Sequence, residues 1–292
     1  MEFTKAKREK AKLRLGLTGP SGSGKTYGAL LIAKGLGGKI AVLDTEHGSA
    51  SLYDHLVEFD VLNLDPPYNP ERFMKAIEAA ENAGYDTLII DSITHEWIGA
   101  GGCLELNEDL TKSKYKGNSY QAWSETGTRH RRFLDRILQS SLHIIATMRS
   151  KTETAMQESI TGKKQIVKLG MKSEQREGSE YELTTVLDII HDGHYATASK
   201  DRTGLFTDKD PAKITEKTGK DLLEWLNQGS EPVKQVVESV KESQLDYDLM
   251  ISEAKSRVEL NAIFQMIPKQ LQDNFKPKLN EKLNEIIQAK AA

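Results

Sequence analysis

Apolar residues in this chain fall into short runs, separated by stretches where they recur every three to four positions. Residues 12–18 (KLRLGLT) alternate and then run apolar, as a strand does. Residues 39–44 (KIAVLD), 87–91 (TLIID) and 142–147 (LHIIAT) are brief apolar runs of the kind that strands buried on both faces show. Helical patterns lie between them. Residues 26–36 form one, closed by Gly35, Gly37 and Gly38. Residues 70–84 form another, with Phe73, Ile77 and Ala80 on one face and Gly84 as its stop. Residues 129–138 form a third, through Phe133, Ile137 and Leu138. Strands alternating with helices predict an α/β fold around a mostly parallel central sheet. Later the pattern changes. Residues 185–191 and 194–200 flank Asp192-Gly193, a pair suited to a type I′ turn, which predicts an antiparallel hairpin in the second half of the core.

The tail reads differently. Gln228-Gly-Ser-Glu-Pro232 has the composition of a linker. Beyond it Val233, Val236, Val237 and Val240, and then Leu279, Leu283, Ile286 and Ile287, repeat at helical spacing. The expected organisation is a core over 1–228, of which 1–11 is a basic arm carrying Lys5, Lys7, Arg8 and Lys10, and a small helical domain over 229–292. The 292 residues leave room for both. With 38% hydrophobic and 28% charged residues the chain has the composition of a folded, water-soluble protein. No apolar run approaches the roughly 20 residues needed to cross a bilayer, and the first residues lack a secretory pattern. The single cysteine, Cys103, excludes an internal disulfide and points to a reducing cytoplasm. A net charge of −3 excludes a bulk polycation, so any nucleic-acid contact must come from local basic patches.

The chemistry begins at Gly19-Pro20-Ser21-Gly22-Ser23-Gly24-Lys25-Thr26, a full G-x-x-x-x-G-K-[ST] motif placed between a strand and a helix. Glycines let successive backbone N–H groups point inward at phosphate oxygens, and the helix that follows turns its positive end to the same anion. Lys25 neutralises the β- and γ-phosphates, and the Thr26 hydroxyl is a magnesium ligand; Tyr27 completes the nucleotide-binding stretch. ATP and Mg²⁺ are the ligands so implied. Asp91, at the end of an apolar strand, is the second candidate for the metal. Glu46, in Asp44-Thr45-Glu46-His47 directly after the next strand, stands where a carboxylate can polarise the attacking water.

The order of P-loop, D-T-E-H after an apolar strand, and L-I-I-D-S resembles the core of bacterial RecA and its phage relatives. The opening KLRLGLTGPSGSGKT and the strand IIATMR look most like small phage-encoded RecA-like ATPases of the Sak group, which assist single-strand annealing and recombination. The resemblance covers residues 12–205 by motif order. It implies a RecA-like P-loop core and puts water activation on Glu46. It implies a γ-phosphate sensor in Ala146-Thr147-Met148-Arg149, with Thr147 where RecA has glutamine. It gives Lys200 and Arg202 the part of cations that reach the nucleotide of a neighbouring subunit, and hence implies a homo-oligomer, ring or filament, in the cytoplasm of a bacterial host.

Two stretches stand where RecA-type proteins carry DNA loops. Residues 97–123 hold Lys112, Lys114, Tyr115 and Lys116; residues 151–178 hold Lys163, Lys164, Lys168 and Lys172. Lysines with an interleaved aromatic suit single-stranded DNA, although acidic residues dilute both patches. Other roles on the same core are a DNA motor, or an ATP-gated switch that loads a protein partner through its C-terminal helices. His191 and His194 lack a third ligand for a metal. Cys103 reads as a small buried hydrophobe, and Trp97 and Trp225 as packing residues.

Overall fold

The computed structural model describes residues 5, 10–158, 164–176, 178–229, 247–254, 256–267 and 272–291; for 152–158, 164–171, 248–249, 273–274 and 287–291 it describes the backbone alone. The chain divides into two compact units, Met1–Glu231 and Pro232–Ala292.

In the first unit the elements run β1 (Arg14–Gly19), α1 (Lys25–Leu36), β2 (Ile40–Asp44), β3 (Asp60–Asn63), α2 (Pro70–Asn82), β4 (Thr87–Asp91), α3 (Thr94–Ile98), α4 (Cys103–Ser113), α5 (Ser119–Gln139), β5 (His143–Glu158), β6 (Lys164–Ser173), β7 (Thr185–Ile189), β8 (Tyr195–Asp201), β9 (Ala212–Lys213) and α6 (Glu216–Asn227). The sheet order is β3-β2-β4-β5-β1-β7-β8-β9, with β6 paired to β5 outside that path. Pairings from β3 across to β7 are parallel, including Gly16 beside Ala146 and Asp44 beside Asp91. Those of β7 with β8, β8 with β9 and β5 with β6 are antiparallel.

The continuous apolar runs have the reason that parallel sheets give them: both faces are covered. Successive residues of a strand enter opposite cores. Leu88, Ile90, Ile144 and Ala146 meet Phe73 and Ile77 of α2 and Phe133 and Ile137 of α5. Ile89 and Ile145 join Leu30 and Ile32 of α1 and Leu222 of α6 on the other face. Phe73 and Phe133 are fully buried with ring centroids 5.5 Å apart; side chains of this size stabilise by about 1.5–3 kcal/mol each when removed from water. α2 starts where Asn69 caps the Arg72 N–H (3.1 Å) and Pro70 takes the first helical position.

α1 and α6 cross backbone against backbone. A Cβ on Gly35 would stand 2.8 Å from the Gly219 Cα, and a Cβ on Gly219 2.9 Å from the Gly35 Cα, with carbonyls of Glu216 and Ile32 closer still. No side chain fits on either helix at this point.

The structure corrects several expectations. Residues 97–123 are not an irregular loop: the end of α3, all of α4 and the first turn of α5 occupy most of them. The reason is the make-up of the buried face. In α5 it runs Ala122, Thr126, Gly127 and His130 before reaching Phe133 and Ile137, small and polar residues that carry no hydrophobic period. Residues 151–178 are largely a hairpin, β5 continuing beyond the core to pair with β6. The turn between Thr185–Ile189 and Tyr195–Asp201 is not a two-residue type I′ turn. Ile190 N–H donates to the Tyr195 carbonyl, which leaves four residues in the loop, and positive φ falls on Gly193 and His194. β7 itself pairs parallel to β1, so the antiparallel part begins only with β8. β3 carries no apolar run because it is a four-residue edge strand, mostly exposed.

In the second unit α7 (Tyr247–Glu253), α8 (Arg257–Met266) and α9 (Gln272–Ala291) enclose a small core of Ile251, Leu260, Ile263, Ile267 and Leu279, with Leu283 and Ile286 against it. Val233, Val236, Val237 and Val240, residues 1–4 and 6–9 of the basic arm, and Lys163 lie outside the described residues. No helix among the described residues is long and apolar enough to cross a membrane.

Candidate active site

Parallel strands all end on one edge of a sheet, and that edge gathers the polar residues that follow them. The turn from β1 to α1 curls through Gly22 (φ 77°) and Gly24 (φ 90°), left-handed conformations that residues with a Cβ rarely adopt. Lys25 Nζ folds back on this loop, donating to the carbonyls of Gly19 (3.0 Å) and Pro20 (2.9 Å). Its partial burial holds the ammonium below the usual lysine range, against the opposing pull of Asp91 and Glu46.

Asp91, at the end of β4, joins three elements. Thr26 Oγ1 donates to its Oδ2 (2.6 Å) and Thr147 Oγ1, from β5, donates to its Oδ1 (2.5 Å). The carboxyl is almost wholly enclosed. Burial pushes its pKa up, and the two hydroxyl bonds pull it back. A buried carboxylate wants a cation and a buried ammonium an anion. The Thr26 and Asp91 oxygens are hard donors of the kind that suit magnesium, and Lys25 with the loop amides suits the phosphates it would accompany. The residues present therefore fit Mg²⁺ with a nucleoside triphosphate.

Glu46 follows β2, the neighbour of β4. Asp44 holds the turn, accepting from the N–H groups of Glu46 (2.6 Å) and Ala50 (3.1 Å). The Glu46 carboxylate pairs with Arg149, Oε1 lying 2.9 Å from one terminal nitrogen and 3.0 Å from Nε. Both side chains, with Lys25, Thr26 and Asp91, line a cavity of about 720 Å³. Its wall continues along α1 through Tyr27 and Leu31 to Tyr53 and the β9–α6 junction at Lys213, Ile214 and Thr215. Tyr27 and Tyr53 meet edge to face at 5.9 Å.

Gly19, Pro20, Ser21, Gly22, Ser23 and Gly24 thus form one loop with Lys25, Thr26 and Tyr27, and Glu46 and Asp91 join it. Thr147 is fully buried, its hydroxyl donates to Asp91, and it does not line the cavity. Arg149, on the same face of β5 by the two-residue period, is the residue that reaches the cavity. Sequence reasoning also missed His194. Its Nδ1 donates to the Ser23 carbonyl (3.0 Å), so the β7–β8 loop braces the P-loop. The signal was the β1–β7 neighbourhood, which places that loop beside the one after β1.

Other residues are elsewhere. Lys200 and Arg202 both reach the Tyr181 carbonyl of their own chain, Arg202 at 3.0 Å, and neither lines the cavity. Lys200 stands near the end of β8 and Arg202 just beyond it. Lys112 is paired with Glu108 (2.6 Å) and Lys114 with Glu125 (2.6 Å), to which the Tyr115 hydroxyl also donates (3.0 Å). Lys116 takes a positive φ of 47° in the turn that follows. Lys164 and Lys168 are placed on β6 by backbone alone, with Lys172 near its end. Trp97 stacks on Trp123 (5.6 Å), and Trp225 packs against the α1 side of the core, as packing residues do. Cys103 is buried, yet it is not merely a hydrophobe: its Sγ donates to Glu96 Oε1 (3.0 Å).

No curated protein sequence is significantly similar to the chain. A family profile described as an AAA domain matches residues 11–227, which spans the sheet, the P-loop and every residue lining the cavity. A glycine-rich phosphate loop, an enclosed carboxylate beside its threonine, and a profile match over most of its length agree: the chain belongs to the AAA domain family, of P-loop AAA-type ATPases.

Proposed function

We propose that this ATPase is of the RecA-like type, works with magnesium, and acts as a homo-oligomer on single-stranded DNA in phage recombination or strand annealing inside a bacterial host. One observation carries the enzymatic part: Lys25, Thr26, Asp91 and Glu46, from three strand ends, meet around one cavity. In this reading the P-loop amides and Lys25 bind and orient the phosphates. Magnesium, when bound with the nucleotide, neutralises phosphate charge, and Thr26 and Asp91 are the residues that would hold it. Thr147 keeps the Asp91 carboxylate turned to the cavity. Glu46 takes the proton of the attacking water. Arg149 is shared between Glu46 and the anion that Lys25 binds, so nucleotide charge competes for the guanidinium and frees the carboxylate. Lys200 and Arg202 serve a neighbouring subunit's nucleotide after leaving Tyr181.

The DNA part rests on the basic residues of 112–116 and of β6, and on the order of motifs. The pairing of Lys112 and Lys114 with glutamates favours a second reading, an ATP-gated switch that loads a protein through the helical unit and touches DNA little.

Turnover of ATP by the purified chain, with and without single-stranded DNA at low salt, separates these. DNA stimulation, loss of turnover in Lys25→Ala, and ATP binding without turnover in Glu46→Gln support the proposal. A real ATPase that ignores DNA removes the recombination reading and leaves the switch.

A further inference from the structure

Away from the nucleotide cavity, α3, α4 and α5 bring Glu96, Cys103 and His130 together in the interior. Glu96 and Cys103 are fully buried and His130 is 1% exposed. Cys103 Sγ stands 3.0 Å from Glu96 Oε1, and His130 Nδ1 stands 3.1 Å from both Glu96 oxygens. One ligand atom from each residue lies within 4.8 Å of the others. We propose that these three side chains form a closed binding site for one divalent ion of the zinc class, which pins the three helices to one another.

Spacing is the first argument. Zinc bonds of roughly 2.0–2.3 Å in a tetrahedron put neighbouring ligand atoms roughly 3.3–3.8 Å apart. The contacts to Glu96, 3.0 Å from Sγ and 3.1 Å from Nδ1, fall slightly short of that, and a small outward shift of each side chain opens room for the ion.

The imidazole supplies the second argument. Ser179 donates its hydroxyl proton to the Arg176 carbonyl (2.8 Å), so its oxygen is left to accept from His130 Nε2 (3.4 Å). With Nε2 engaged by Ser179, Nδ1 is the ring nitrogen that faces Glu96, 3.1 Å from both of its oxygens. A cation between them is bonded by both, with Ser179 as the outer partner that histidine ligands commonly have.

Charge and donor type select the ion. A Cys103 thiolate and a Glu96 carboxylate balance a dication beside a neutral imidazole, so the loaded site carries no net charge. Binding releases the thiol proton to solvent. A sulfur–nitrogen–oxygen donor set suits zinc and disfavours magnesium or calcium, which prefer oxygen alone. The three donors come from three helices and are all buried, so the ion's role is to hold those helices together, with a small ligand such as water in the fourth position of the tetrahedron.

Cys103 is the chain's single cysteine, which makes the test direct. The full chain is stripped with chelator, loaded in zinc-buffered solution and analysed for bound metal; a second sample is loaded with Co²⁺ and its spectrum recorded. The expected result is about one zinc per chain and, with cobalt, tetrahedral visible bands plus a sulfur-to-metal band near the ultraviolet. The sulfur band is lost in Cys103→Ser, and His130→Gln weakens retention at least tenfold. Retention well below one equivalent, or a cobalt spectrum without the sulfur band, overturns the proposal and leaves a hydrogen-bonded trio. The cobalt spectrum of the unsubstituted chain decides even if neither variant folds, and magnesium chemistry at Thr26 and Asp91 contributes nothing to a sulfur band.

Discussion

Asp91 and Glu96 are near neighbours in sequence, and each anchors a cluster of a different kind. Asp91 ends β4, and its partners are Thr26 at the start of α1 and Thr147 of the neighbouring strand β5. That cluster opens on the cavity. Glu96 lies one element later, in α3, and its partners Cys103 and His130 come from the next two helices into a closed interior. A parallel sheet gathers its strand ends whatever side chains they carry. A layer of helices gathers residues by face, so the cluster follows from packing that no local pattern announces. The first cluster is built against water on one side, and it keeps charges the folded chain would otherwise not favour. The second excludes water.

Asp91→Asn tests the first half most strongly. ATP turnover should fall at least about a hundredfold, the scale of losing a group aimed at transition-state charge. Chemical unfolding of the same variant should show equal or greater stability near pH 7. Burial raises the Asp91 pKa above its unfolded value, so the ionised side chain weighs against folding there and the amide relieves it. A variant that loses stability along with turnover breaks the contrast between the clusters.

His143 gives a pH effect of the next size. Leu13 N–H donates to its Nδ1 (3.1 Å), and burial, helped by Lys12 and Arg14 and opposed by Asp86, lowers its pKa from 6.5 to about 4. The unfolded chain takes up this proton near pH 6.5 and the folded chain only near 4, so stability falls as pH drops through that window, by roughly 3 kcal/mol. His143→Asn keeps an acceptor for Leu13 and should flatten this part of the curve, read from urea midpoints at pH 7 and pH 4.5.

Thr147→Val should lower the free energy of unfolding by about 1.5–3 kcal/mol, the worth of a hydrogen bond to a charged group, and Thr147→Ser should restore most of it. Equal effects from both variants would mean that the methyl, not the hydroxyl, matters. Gly35→Ala should cost about 1–3 kcal/mol by overpacking, where a glycine inside an exposed helix gains up to about 1 kcal/mol from the same change. The smallest effect is expected from Lys112→Ala with Lys114→Ala. Single-stranded DNA binding should weaken several-fold at low salt, with a shallower salt dependence, and no change at all would turn attention to β6.

How much of this could be read from the chain follows the same division. Residues 39–44, 87–91 and 142–147 announce buried strands, and with the P-loop they place Lys25, Thr26, Glu46 and Asp91 on one edge. Arg149 and Thr147 were visible only as members of one strand, because both share a face and only the fold shows that Asp91 takes up the first hydroxyl while the second side chain reaches Glu46. The start of α5 was hidden since Ala122, Thr126 and Gly127 bury a face with no apolar signal. The β5–β6 hairpin was placed as a loop by the resemblance to RecA-type proteins, and its pairing is seen only in the fold. Cys103 looked inert because its partners are brought to it by α3 and α5.

The crossing of α1 and α6 bears on how this chain can diverge. In most cores a larger side chain is answered, over time, by a smaller neighbour, so contacts survive while residues drift. Here both sides of the contact are glycine, and nothing smaller exists to answer a change at either one. Gly35 and Gly219 are therefore tied to each other across most of the core, with no compensating route for either. A distant relative that keeps this helix crossing should keep both, even where its loops and charged surfaces have changed beyond alignment, and the pair offers a mark by which such a relative can be recognised.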